Sequence, residues 1–266
     1  MLRKFEHSQV YHPTREMEFE PSSVGRAWEE VWLTTADGLR LHAWFFKADE
    51  SSPRKAFAVL FCHGNGGNIS SRPGYYKALC ETGVNLLTFD YRGYGRSEGR
   101  VDEAGTYTDA LTALAWLQTR GFPPSHVVAW GESLGGGVAS EVASRVALGG
   151  LALQSSFTSI ADLGEEIFPW LPVRWINRIK YDTRERLPRI GCPVLVMHSR
   201  ADDVISPRHG ERNFAAAREP KLFWEIAGTH VGALDADRPK FVAGAEAFMK
   251  MVDAGVRQPG AGARHG

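Results

Sequence analysis

Val127-Val128-Ala129-Trp130-Gly131-Glu132-Ser133-Leu134-Gly135-Gly136-Gly137 is the stretch on which the reading of this chain turns. A short apolar run suited to a strand meets a Gly-x-Ser-x-Gly turn, and a helical pattern follows. Ser133 therefore falls at a sharp strand-to-helix turn, the arrangement known as a nucleophile elbow. The glycines have a steric reason: the serine backbone is strained there, and side chains at Gly131 and Gly135 would collide with neighbouring strand and helix atoms. So placed, the Ser133 hydroxyl points into open space at a helix amino terminus, where partial positive charge favours a developing anion.

A serine hydroxyl is a poor nucleophile near neutral pH and needs a base, itself oriented by a carboxylate. Working outward, the strand-like run ending at Met197 leads into His198-Ser199-Arg200-Ala201-Asp202-Asp203-Val204, which offers Asp202 as the acid and Asp203 as its rival. The run Leu222 to Ile226 leads into Ala227-Gly228-Thr229-His230, which offers His230 as the base. Ser133, Asp202 and His230 thus occur in the chain order Ser, Asp, His, each on a loop at the carboxyl end of a strand. The other histidines fit less well: His209 falls in a helical stretch, His126 precedes a strand, and His63 and His198 stand at strand ends as partners of their own loops. The oxyanion formed in acyl transfer needs two backbone N–H groups. Leu134 supplies the first, and the second is expected from His63-Gly64-Asn65-Gly66-Gly67-Asn68, with Asn65 preferred and Gly66 the alternative.

That glycine-rich loop invites a rival reading as a dinucleotide-binding turn, with Asp90 downstream. The rival fails because the third glycine position holds Ile69 and because the loops of Ser133, Asp202 and His230 would be left without a role. No GxxxxGK[ST], HExxH or paired CxxC occurs, so no cofactor, metal or nucleotide is called for.

The rest of the chain has the rhythm of a mostly parallel sheet flanked by helices. Glu29 to Thr34 and Leu39 to Phe46 read as a hairpin turned by Asp37-Gly38. Strands are then expected at Ala56 to Cys62, Val84 to Phe89, Val127 to Trp130, Leu151 to Gln154, Pro193 to Met197 and Lys221 to Ile226, alternating with helical stretches. About eight strands result, in one domain over residues 1–256, with a glycine-rich tail at 257–266 expected to be frayed. The rhythm breaks between Ser155 and Arg189, an insertion after the sixth strand that is expected to form a small cap. Its aromatics, Phe157, Phe168, Trp170 and Trp175, are candidates for the wall of an apolar substrate pocket. Asn68, in the sequon Asn68-Ile69-Ser70, is expected to cap the helix that follows.

Composition bounds the function. Of 266 residues, 43% are apolar and 23% charged, as in a globular protein with a large core. Lys+Arg and Asp+Glu balance at 31 each, which leaves no global field for nucleic acid. The N-terminal stretch has no apolar run of signal or membrane-spanning length, and the odd cysteines Cys62, Cys80 and Cys192 sit in or beside apolar runs. A soluble protein of a reducing, cytoplasmic compartment is the expectation, acting on a small-molecule or acyl substrate.

HGNGGN, DYRGYGRSEG (Asp90 to Gly99), GESLGGG and HSRADDV, in that order, carry a resemblance to the α/β-hydrolase superfamily and, within it, to the Bem46-like serine hydrolases related to ABHD13 and ABHD17. The resemblance runs from about Gln9-Val10-Tyr11-His12-Pro13 to the last helix. It implies an α/β-hydrolase fold, with Ser133 as nucleophile, Asp202 as acid and His230 as base, cleaving esters or thioesters through an acyl-enzyme. Two features depart from the group: His198-Ser199 stands where His-Gly is usual, and neither a hydrophobic anchor nor a lipidated cysteine cluster precedes the Tyr-His-Pro segment. These departures put a membrane-bound protein depalmitoylase in doubt and leave a soluble acyl esterase as the expectation. Amide, peptide or carbon–carbon bond hydrolysis would use the same three residues, and a noncatalytic binding protein on this fold would not need them together.

Overall fold

A computed structural model describes residues 2–257. Eight strands form one sheet: β1 (Trp28–Thr34), β2 (Arg40–Phe46), β3 (Ala58–Cys62), β4 (Asn85–Phe89), β5 (Val127–Glu132), β6 (Gly150–Gln154), β7 (Val194–Ser199) and β8 (Lys221–Ile226). Their spatial order is β8-β7-β6-β5-β3-β4-β2-β1, parallel from β8 through β4, with β2 antiparallel to both β4 and β1. The expected eight-stranded, mostly parallel α/β architecture is the one observed.

Parallel strands covered on both faces read as continuous apolar runs, and here alternate residues serve opposite cores. Ala58, Leu60 and Cys62 of β3 face one cluster with Val127 and Ala129 of β5, while Val59, Phe61, Val128 and Trp130 face the other. Helices α1 (Leu2–Val10), α2 (Pro73–Cys80), α3 (Glu103–Thr119) and α4 (Leu134–Arg145) precede the insertion. The first cluster is closed by α3 and α4 through Ala110, Leu114, Val138 and Val142. The second is closed by Tyr76 and Leu79 of α2 and by Phe241 and Phe248 of the C-terminal helix, which runs to Arg257. Each such side chain, fully buried, contributes about 1.5–3 kcal/mol.

Strand ends differ from the apolar runs that signalled them. β5 continues past Trp130 because Gly131 pairs with Leu153 and Glu132 with Gln154, so ladder hydrogen bonds carry the strand into the polar turn. β7 likewise extends to Ser199 on its pairing with β8. The last helix runs to Arg257, and residues 258–266 of the expected tail lie outside the described residues. Asn68 caps a single 3₁₀ turn, Ile69–Ser71, accepting from the Ser70 N–H, while Ser71 Oγ stands 3.4 Å from the Asn68 N–H.

The insertion holds α5 (Ile160–Ile167), α6 (Val173–Ile176) and α7 (Thr183–Arg186). Its second half returns to the body. Tyr181 is fully buried, its hydroxyl lying 2.9 Å from Thr106 Oγ1 and 3.1 Å from the Tyr11 hydroxyl. α7 is tied down by an ion pair from Arg186 to Glu141 of α4. Residues 155–180 are left to cover the carboxyl edge of the sheet. α1, which no apolar pattern announced, lies against the cap and the cavity it covers.

Candidate active site

Ser133 has φ 52° and ψ −116°, a conformation that costs an L-residue strain and persists only when its surroundings fix it. Three bonds fix it: its N–H donates to Gln154 O at 2.8 Å, and its carbonyl accepts from Ser156 Oγ at 2.9 Å and Gly136 N at 3.0 Å. The glycines around it are sterically required. A Cβ on Gly131 would stand 2.3 Å from Gly135 O, and one on Gly135 only 1.9 Å from Cys62 O. Helix α4 is thereby laid directly on β3 and β5, with Ser133 at its mouth.

The loops after β7 and β8 bring Asp202 and His230 to this point. His230 Nε2 lies 3.1 Å from Ser133 Oγ, and Nδ1 lies 2.9 Å and 3.1 Å from the two Asp202 carboxylate oxygens. With Nδ1–H donated to the carboxylate, Nε2 presents its lone pair to the serine hydroxyl. Asp202 is buried, and burial disfavours its charge. The His230 hydrogen bond, with those from the Ile205 and Val204 N–H groups, outweighs that and holds the carboxyl below its usual range. Asp203 is not equivalent, for it accepts the His230 backbone N–H at 3.0 Å and so fixes the loop instead of the ring.

The two other candidate histidines are structural. His198 Nε2 faces Ile205 O at 2.9 Å, and burial lowers its pKa despite the neighbouring Asp202 carboxylate. His63 is held by its own loop through Gly64 O at 2.7 Å, and burial lowers its pKa strongly.

Leu134 and Asn65 border the cavity beside Ser133, whereas Gly66 is turned away into a two-residue parallel bridge with His12. The loop that carries Asn65 is anchored on every side. Tyr94 Oη and the His12 N–H both donate to Asn65 O, and the Asn65 side chain donates to Val10 O. Arg72 reaches Gly66 O at 2.9 Å and Asn68 O at 3.1 Å while paired with Glu132, which also accepts the Gly64 N–H. This buried pair ties the loop of Asn65 to the turn of Ser133, and nothing in the sequence pattern singled out Arg72.

A cavity of about 380 Å³ opens onto Ser133 and His230. Its wall is mostly apolar, with Ile160, Leu163 and Phe168 from the cap, Phe157 below it, and Val204 and Ile205 beside the acid. Phe157 and Phe168 are where the sequence placed them. Trp170 and Trp175 are not, being 75% and 90% exposed and outside the wall. In the single turn of α6, Val173 and Ile176 take the inward positions at i and i+3, which forces Trp175 outward. Trp170 likewise follows Phe168 across a proline turn, and only the phenylalanine points in. The wall also includes Phe5, Glu6, Gln9 and Val10 of α1, a contribution sequence reading missed. The Phe5-to-Gln9 and Glu6-to-Val10 spacings would have revealed it, had that stretch been read as a helix. Glu6 fastens α1 to the cap by accepting the N–H groups of Arg178 and Ile179.

Comparison with known proteins agrees with this fold. The family described as alpha/beta hydrolase fold matches residues 58–172. The chain is similar to the uncharacterized protein Rv2307c of Mycobacterium tuberculosis, 38% identical over 220 residues that cover 82% of this chain and 78% of that one. It is also similar to the lysophosphatidylserine lipase ABHD12 of Danio rerio, 32% identical over 72% of this chain and 56% of that protein. Among solved structures, the Pyrococcus furiosus esterase Pf2001 superposes with a TM-score of 0.75 over 90% of this chain and 98% of that one, at 19% identity, a likeness of fold.

Proposed function

Because the chain belongs to the α/β-hydrolase superfamily, we propose that it is a Bem46-like serine hydrolase that cleaves carboxylic esters or thioesters through an acyl-enzyme. The observation that carries this reading is the continuous relay from Asp202 through His230 to Ser133, with contacts of 2.9 and 3.1 Å. His230 takes the Ser133 proton as Oγ attacks the acyl carbonyl. The tetrahedral oxyanion is received by the Leu134 and Asn65 N–H groups, and removing one such donor costs about 10²–10³ in rate. His230 then protonates the leaving alcohol or thiol. In the second half-reaction it deprotonates a water that attacks the acyl-Ser133 ester and regenerates the enzyme.

The apolar wall supports an acyl or alkyl chain as the part of the substrate bound in the cavity. Exposure of only 7% for Ser133 means that the scissile carbonyl reaches it through that cavity. A fluorophosphonate probe should label the wild-type chain and spare Ser133→Ala, and His230→Ala should abolish p-nitrophenyl butyrate turnover. Equal labelling of Ser133→Ala, or no turnover across an acyl ester and thioester series, would sink the proposal in favour of a binding role.

A further inference from the structure

Among the described residues nine large hydrophobic side chains stand markedly exposed, and six of them, Phe5, Ile167, Trp170, Trp175, Val204 and Val231, lie on the cavity wall or in the segments that frame it. Exposed apolar groups scattered singly need no account, whereas a cluster around one opening marks a surface built to be covered. The sequence of the cap tip says what covers it. Residues 168–180 read FPWLPVRWINRIK, with Arg178 and Lys180 exposed at the end of the run, while Arg174 is paired with Asp162 and Glu165 of α5. Tryptophan beside cationic side chains suits the boundary between acyl chains and anionic headgroups, where the ring is half in hydrocarbon and the cation meets phosphate. Among the described residues no helix is long and apolar enough to cross a membrane.

We propose that the rim of the cavity docks onto an anionic phospholipid surface, with Trp170 and Trp175 as the inserted side chains and Arg178 and Lys180 as headgroup contacts. The cavity mouth then faces the lipid, and an acyl chain passes from one apolar phase to another without crossing water. The direction of substrate delivery rests on the hydrolase reading; the docking itself does not.

The test uses the full chain carrying Ser133→Ala, so that binding is read without turnover. Vesicles of phosphatidylserine and phosphatidylcholine, at a molar ratio of about 1:3, should sediment this chain, with a blue shift of tryptophan emission and release by salt. Trp170→Ser/Trp175→Ser should weaken binding roughly tenfold or more, and Arg178→Glu/Lys180→Glu should abolish the preference over pure phosphatidylcholine. Thermal unfolding of each variant should match that of the parent, because these side chains pack little. Failure to sediment, equal sedimentation of the tryptophan variant, or a dimer that the tryptophan variant dissociates would each overturn the proposal. The last outcome would assign the rim to a second copy of the chain. Loss of ester turnover in the wild type would remove the hydrolase reading and leave the docking result standing.

Discussion

At the elbow, a Cβ on Gly135 would stand 1.9 Å from the Cys62 carbonyl oxygen; in the cap, one on Gly164 would meet the Val173 side chain, nearest at Cγ1, 2.8 Å away. The first obstacle is backbone in the middle of a sheet and cannot give way. The second is the end of a side chain on a helix of a single turn. The same contrast runs through both regions. Ser133, Asp202, His230 and the Asn65 loop are held by hydrogen bonds to strands and to one another. The cap holds the cavity with side-chain contacts and leaves two tryptophans in solvent. Chemistry that tolerates little displacement is built on the rigid edge, and the wall that meets a variable substrate is built on short helices.

The largest expected effects fall at the rigid edge. Ser133→Ala and His230→Ala should each lower kcat by about 10⁶, and Asp202→Asn by about 10⁴ through loss of the productive His230 tautomer, as read by steady-state ester hydrolysis. Asp203→Asn should cost far less, since its carboxylate meets the His230 backbone N–H and not the ring. Comparable losses for the two aspartates would contradict the division of roles drawn from the geometry. Stability should separate the two regions as sharply. Gly135→Ala should destabilise by more than about 4 kcal/mol or prevent folding, and Gly164→Ala by about 1 kcal/mol or less, measured as urea midpoints.

Selectivity should move in the opposite pattern. Leu163→Trp adds bulk to the wall from the cap side and should reduce kcat/KM for long acyl esters roughly tenfold relative to acetate, with little change for acetate itself. A uniform loss for all chain lengths would mean that the cap positions the catalytic groups, and the contrast between the regions would dissolve.

The same contrast explains what could be read from the sequence. Gly131, Gly135 and Ser133 leave a pattern because their backbone geometry excludes other residues, and the acid and the histidine follow strands whose apolar runs are unmistakable. Asp202 was preferred to its rival Asp203, although neighbouring carboxylates in a loop differ only in where the turn points them; the Ile205 and Val204 N–H groups hold Asp202 toward His230. The loop register that favours Asn65 over Gly66 depends on the bridge from His12 to Gly66, a contact between distant parts of the chain. Trp170 and Trp175 misled because an aromatic side chain reads as apolar wall until the helical phase of so short a segment is known. The contribution of α1 was lost for want of a strong apolar run.

The last expected effect is one of pH on stability. His198 and His63, at the rigid edge, and His209, at the root of the cap, are all held below the ordinary histidine value of 6.5, chiefly by burial. A histidine kept neutral in the folded chain makes no difference while the unfolded chain is also neutral. As pH falls below about 6.5 the unfolded state takes up protons that the folded state refuses, and stability declines by at most about 1.4 kcal/mol per pH unit for each such group. Asp202 has the acid counterpart: its carboxyl is held below the ordinary value of 3.8, so its contribution is present above that pH and is lost as pH falls further. Two windows should therefore appear in urea midpoints taken from about pH 8 to pH 3, the upper one due to histidines. Glu166 and Asp162 favour the charged form of His209, while His63 has Arg72 beside it opposing that form. His209→Gln should then flatten the upper window less than His63→Gln, provided that both variants fold; the reverse order would place the greater electrostatic strain at the root of the cap and not at the catalytic edge.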